Sequence, residues 1–141
     1  MSEKNIITTL IEQHHGLKKD LELVAKVIGE DTGASDKVVI LLGQFEKDLV
    51  DHLELENNQF YPELLSAMKT KGQDPSKTEQ FIDEMKNIEK TVVSFLNKYR
   101  DAAGLDKNIN DFKKEFPDIT TTLSLRIESE EAGVYAYWGL F

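Results

Sequence analysis

Phe45-Glu46-Lys47-Asp48-Leu49-Val50-Asp51-His52-Leu53-Glu54-Leu55-Glu56 sets Phe45 and Leu49 four positions apart, then continues their row with His52 three further on and Glu56 four beyond that. Steps of three and four return to one face of an α-helix, whereas a strand alternates every second residue. The stretch is helical, and its inward row changes from apolar to ionisable partway along. Ionisable groups on such a row are costly to bury unless something pairs them. His52 and Glu56 therefore project together from the inward face as candidate ligands of a cation.

The same spacing extends outward in both directions. Val38, Leu41 and Leu42 upstream and Leu64, Leu65 and Met68 downstream give one segment from about residue 37 to 70, with a kink expected at Pro62. Leu10, Leu17, Leu21, Val24 and Ile28 stripe an earlier segment from about residue 5 to 28, for which Ser2 is an available N-cap. Glu30-Asp31-Thr32-Gly33-Ala34-Ser35-Asp36 interrupts the two. Lys71-Gly72-Gln73-Asp74-Pro75 is a turn and a new start, because Asp74 can cap and Pro75 fits the first helical position. Phe81, Met85, Ile88, Val92, Phe95 and Tyr99 mark a third segment from about residue 75 to 103, ended by Gly104. Residues 105–117 are polar apart from Leu105, Ile109, Phe112 and Phe116, and are expected to form a linker with a short helix. Ile119, Leu123, Ile127, Val134 and Trp138 then define a last segment from about residue 118 to 138, with Thr120-Thr121-Thr122 serving as capping residues near its start. Segments longer than twenty residues span roughly 30 Å, and short turns favour antiparallel neighbours. The expected architecture is an all-α, up-down-up-down antiparallel four-helix bundle, one domain over residues 1–141.

Composition removes whole classes of chemistry. The 141 residues include no cysteine, which excludes disulfides, thiolate zinc sites, iron–sulfur clusters and a cysteine nucleophile. Lys and Arg number 17 against 26 Asp and Glu, a net charge of −9. That balance argues against nucleic acid and anionic membranes as partners and favours cations or basic proteins. No apolar run approaches the ~18 residues of a membrane span, and Met1-Ser2-Glu3-Lys4-Asn5 lacks the basic start of a signal peptide, so a cytoplasmic protein is expected. No Gly-rich phosphate loop and no GxSxG elbow occurs, and no nucleophile stands with a base and an oxyanion donor. The protein is not expected to be an enzyme.

Other ionisable residues share the inward rows. His14 lies between Leu10 and Leu17, while His15 falls off the main stripe with Ile11 and Glu22. Arg126 follows Leu123 by three, Glu130 follows Arg126 by four, and Glu131 sits four after Ile127 on the edge of the same face. Leu49 to Glu56 can be laid over Leu123 to Glu130, which sets His52 opposite Arg126 and Glu56 opposite Glu130, with Tyr61 and Tyr135 each five residues past the aligned glutamate. Histidine and carboxylate side chains converging from facing helices form metal sites in bundles, and nitrogen and oxygen donors suit iron, manganese or zinc.

Leu10-Ile11-Glu12-Gln13-His14-His15, with His52-Leu53-Glu54-Leu55-Glu56 followed by Tyr61-Pro62, resembles the hemerythrin-like (HHE cation-binding) family over most of the chain. The resemblance implies a four-helix bundle with two irons: one iron takes a histidine from each of the first two helices, the other takes three histidines from the third and fourth, and two carboxylates bridge. His14, His52 and Glu56 match the first iron's ligands and one bridge, and Glu130 or Glu131 stands at the second bridge. The third segment offers Met85 and Glu89 where histidines would be, and the fourth offers Arg126. With three histidines in the chain, a five-histidine site is impossible. Two arrangements stay open: one iron, manganese or zinc ion on His14, His52, Glu56 and a glutamate, with open positions for a small diatomic ligand, or no metal and Arg126 balancing Glu56 and Glu130.

Phe45 to Leu53 and Leu123 to Glu130 also resemble helices of the Rsd/AlgQ family. That likeness implies a metal-free regulator binding an RNA polymerase sigma subunit. Finally, Val134-Tyr135-Ala136-Tyr137-Trp138-Gly139-Leu140-Phe141 is densely aromatic, and either seals the open end of the bundle or forms a homodimer contact.

Overall fold

The computed structural model describes residues 5–29 and 35–138, and among them the chain is helical apart from short turns, with no strand. Ser2, most of the first interhelical break and residues 139–141 lie outside the described residues. Four rods form a bundle: α1 (Ile6–Gly29), then α2 (Ser35–Leu55) running through a π-helical turn (Glu56–Phe60) into α3 (Tyr61–Thr70), then α4 (Ser76–Lys98), and finally α6 (Ile109–Ala132). Two short helices complete it, α5 (Ala102–Lys107) between α4 and α6, and α7 (Val134–Trp138) after α6. No described helix is long and apolar enough to cross a membrane.

Irregularities fall where the chain chemistry demands them. Pro62 has no N–H to offer the carbonyl four residues back and its ring collides there. The structure places the irregularity just before it: Tyr61 N–H reaches back five residues to the Glu56 carbonyl, and the helix passes through a π turn instead of kinking at Pro62. At the end of α3, Gly72 adopts a φ of 72°, its N–H bonds to the Lys69 carbonyl and that of Gln73 to the Met68 carbonyl. This is a Schellman end, for which glycine is the unstrained residue.

Residues 105–117 are not a linker. Asp101 caps α5 by accepting from the Gly104 N–H at 2.6 Å, so Gly104 lies in the first turn of a helix instead of ending one. Helix α6 starts at Ile109 and runs through Pro117, which puts Thr120, Thr121 and Thr122 in its interior and not at its cap. A proline there costs about 3 kcal/mol. Phe112 and Phe116 bury against α4, with Phe112 5.5 Å from Phe95 and 5.3 Å from Phe116, and this aromatic packing offsets the missing bond.

The apolar interior is divided. One cluster holds Leu17, Leu21, Val24, Phe45, Leu49, Leu53, Phe95, Phe112 and Leu123; the other holds Leu10, Phe60, Tyr61, Leu64, Met68, Val134 and Tyr135. Val134 and Tyr135 are buried, and Trp138 packs 5.5 Å from Phe60, so the described part of the aromatic C-terminus closes this second cluster. Between the clusters along α1, α2 and α6 lie His14, His52, Glu56 and Glu130. They form a polar layer inside the bundle.

A second acidic contact joins α1 to α2. Burial and the facing Asp48 carboxylate push Asp20 up to about 7, against the opposing pull of Lys19. Because the folded value is raised, the proton-linked stabilisation is complete below about pH 4 and is lost as pH rises through about 7. Asp20→Asn is therefore expected to stabilise the protein by about 1 kcal/mol at pH 8, an amount reduced by the solvent that reaches the pair, and by little at pH 4. Thermal melts of both chains at the two pH values test this, and an equal shift at both would refute it.

Candidate metal centre

Three rods supply the polar layer. His14 comes from the middle of α1, His52 from the last turn of α2, Glu56 from the first residue of the π turn, and Glu130 from the last turns of α6. Their exposures are 0, 2, 0 and 2 %, so water does not solvate them. One donor atom from each of the four lies within 4.8 Å of every other. Burying two carboxylates side by side without a cation is among the costlier things a bundle can do.

Hydrogen bonds behind the histidines fix which nitrogen faces inward. Gln13 Oε1 accepts from His52 Nδ1 at 2.8 Å, and Glu131 Oε2 accepts from His14 Nδ1 at 2.8 Å. Each ring thus turns its Nε2 toward the layer, the arrangement in which a partner behind a ligating histidine sets its tautomer and orientation. His14 Nε2 is 3.2 Å from Glu130 Oε1, and His52 Nε2 is 3.3 Å from Glu56 Oε1. The choice between the adjacent glutamates is clear in position: Glu130 enters the layer, whereas the half-buried Glu131 stands behind His14.

The two histidines titrate oppositely. Burial lowers His52 to about 4, which leaves it neutral near pH 7 with a bare Nε2 lone pair. Burial acts on His14 too, but the Glu130 hydrogen bond and charge, with Glu131 and Glu56, outweigh it and hold its pKa above the ordinary value. Glu130 is raised to about 7, first by burial and then by the facing Glu56, while His14 pulls it down. Among the described residues, His52 Nε2 and Glu56 Oε1 have no hydrogen-bond partner. A lone pair thus faces a carboxylate oxygen across 3.3 Å, a repulsive contact in a dry site unless a proton or a metal cation lies between them. The donor set fits a borderline divalent ion, with two imidazoles, two carboxylates and no thiolate.

Two tyrosines complete the layer. Tyr135 donates to Glu56 Oε2 at 2.9 Å and Tyr61 donates to Glu130 Oε2 at 3.0 Å. Burial, helped by both carboxylates, raises each phenol well above its usual range, which keeps it a donor. In a regular helix a residue five positions on points about 140° away from its starting direction. The π turn at 56–60 removes much of that offset for Tyr61, and the break at Gly133 does the same for Tyr135. The sequence repeat is therefore structural, and each tyrosine serves the glutamate of the other copy.

Arg126 has other partners. It donates to the Phe81 carbonyl at 2.5 Å, lies 3.8 Å from Glu84, and sets its guanidinium 3.2 Å from the centroid of the Phe81 ring. These contacts tie α6 to α4, in place of the pairing with Glu56 and Glu130 that the metal-free alternative required. The arm is long enough to leave the layer, and an aromatic face with a carbonyl at its rim satisfies a guanidinium well. Met85 is buried in the apolar cluster and His15 is exposed. The sequence carries no signal for this role of Gln13, because its reach to His52 depends on how α1 and α2 pack. The tyrosines did carry a signal, their equal spacing in the repeat.

The sequence model described as the hemerythrin HHE cation binding domain matches residues 5–138. No curated protein matches the chain, and no solved structure matches it.

Proposed function

Because the chain belongs to the hemerythrin HHE cation-binding domain family, we propose that His14, His52, Glu56 and Glu130 hold one divalent first-row ion, iron, manganese or zinc, and that the protein binds or senses that ion rather than acting as a catalyst. The observation that carries this reading is the unsatisfied pair of His52 Nε2 and Glu56 Oε1, buried 3.3 Å apart inside a four-donor cluster. When bound, the ion supplies the positive charge that two inward carboxylates lack. The chain's own residues do the rest: Gln13 and Glu131 orient the imidazoles, Tyr61 and Tyr135 orient the carboxylates, and the flanking apolar clusters exclude water. Burial of all four donors favours retention of an ion over turnover of a substrate.

Elemental analysis of protein prepared without chelator, and again after reconstitution with Fe(II), Mn(II) or Zn(II), tests the reading. The expected result is close to one ion per chain, lost in His52→Ala. Loading near zero after reconstitution overturns it, and equal retention by the variant removes His52 from the site. Protons compete for the same donors. With Glu130 near 7 and His14 raised, affinity is expected to fall as pH is lowered through 7, which isothermal titration at pH 8 and pH 6 would measure.

A further inference from the structure

Each carboxylate of the layer is divided between two tasks. Glu56 turns Oε1 toward His52 and gives Oε2 to the Tyr135 hydroxyl; Glu130 turns Oε1 toward His14 and gives Oε2 to the Tyr61 hydroxyl. The pairing is reciprocal, since Tyr135 comes from the end of the chain that carries Glu130, and Tyr61 follows Glu56. Both hydroxyls are held in place by aromatic packing, with Phe60 5.2 Å from Tyr61 and 5.2 Å from Tyr135, and the Tyr135 ring stacked 5.4 Å from His14. Both tyrosines are buried within the cluster that closes this end of the bundle, and the Tyr135 hydroxyl also lies 3.2 Å from His14 Nε2.

We propose that Tyr61 and Tyr135 are positioning residues that fix the number of ions in the site: by occupying Oε2 of each glutamate they leave Oε1 of each for a cation, so the layer accepts a single ion on four protein donors. The proposal rests on the cation-binding reading above. It assigns to two neutral phenols the limiting role that the sequence suggested for Arg126, whose own contacts lie on Phe81 and Glu84. A phenol is well suited to this task because it donates one hydrogen bond and adds no charge, so it blocks an oxygen without cancelling the field that attracts the ion.

Cobalt(II) is the probe, because its visible bands are strong at low coordination number and weak at high. The wild-type chain and Tyr61→Phe/Tyr135→Phe are titrated with Co(II), and the ion-to-chain ratio and band intensity per cobalt are read together. The expected wild-type result is one cobalt with strong bands. In the double variant the freed Oε2 atoms raise the coordination number or admit more cobalt, so band intensity per cobalt drops or the ratio rises, and affinity falls by about tenfold or more. Should the double variant not fold, as judged by circular dichroism, Tyr61→Phe and Tyr135→Phe alone are each expected to show a partial change of the same sign. An unchanged ratio and spectrum in the variants overturns the proposal while leaving the cation site intact. Wild-type protein that takes up no cobalt overturns the cation-binding reading and this inference with it. A phenolate charge-transfer band in wild-type protein loaded with Fe(III) also overturns the inference, because it would make a tyrosine a ligand.

Discussion

Glu56→Gln is expected to raise the stability of the metal-free protein and to abolish its response to divalent ions. The amide preserves the shape of the carboxylate. Its oxygen can still accept from Tyr135, and its NH2 falls where Oε1 stood, 3.3 Å from the bare Nε2 of His52. Two groups that have no hydrogen-bond partner in the native layer would then bond to each other. Relieving such buried, unsatisfied atoms is worth about 1–3 kcal/mol. The gain is largest at pH 8, above the value near 7 to which Glu130 is raised, because there the Glu130 carboxylate adds its charge to the layer. The same substitution removes a charged ligand, and affinity should fall by more than the roughly 10–100-fold typical of changes behind the ligands. Thermal melts with and without Zn(II) or Fe(II) read both effects. Wild-type protein is expected to melt roughly 8 °C higher at an ion concentration of about 100 times its dissociation constant, and the variant to start higher and stay there. A variant that melts lower than wild type without metal, or still responds to it, contradicts the description of this layer as a site strained for a cation. A stable fold that grows more stable when a site residue is neutralised is the usual signature of function held at the expense of stability.

Residue order revealed much of this arrangement, for reasons that can be stated physically. His14, His52, Glu56 and Glu130 were legible because each falls in register with leucines on a stripe, and a helix carries that register without knowledge of its neighbours. Register is blind to reach. Arg126 shares a row with Glu130, yet its side chain extends to Phe81 on another rod, and only the packing of α6 on α4 decides that destination. Gln13 has no such register, because it lies beside the stripe and matters only through the α1–α2 contact. The fold shows the same division. Four rods follow from periodicity, whereas the early start of α6 does not, because Pro117 and the polar residues around it signal a break that Phe112 and Phe116 override by burial. Pro62 was a true signal of irregularity, but the backbone resolves it by slipping one residue into a π turn, and that slip is what brings Tyr61 to the site.

Gly133→Ala is expected to destabilise the protein by about 2 kcal/mol and also to weaken cation binding by about tenfold. At this residue α6 ends and α7 begins, with the Gly133 N–H bonded to the Ser129 carbonyl at 2.9 Å. A Cβ on Gly133 would stand 2.8 Å from that same carbonyl oxygen, which is backbone and cannot swing away. Relieving the clash requires the α6–α7 break to open, and Tyr135 is two residues beyond it. The hydroxyl would then leave Glu56 Oε2, and the carboxylate would lose the bond that holds it in place. Gly72→Ala is the matching control. Its φ of 72° makes any side chain strained, at a cost of about 1–2 kcal/mol, but nothing lies within 4 Å of the added Cβ, and the turn belongs to the α3–α4 connection. Both variants should therefore unfold at lower denaturant concentration than wild type, while only Gly133→Ala should weaken binding in isothermal titration. Equal affinities for the two would mean that the position of Tyr135 does not matter to the site. Loss of affinity in Gly72→Ala as well would mean that general loosening of the bundle, and not the break at Gly133, governs how the ion is held.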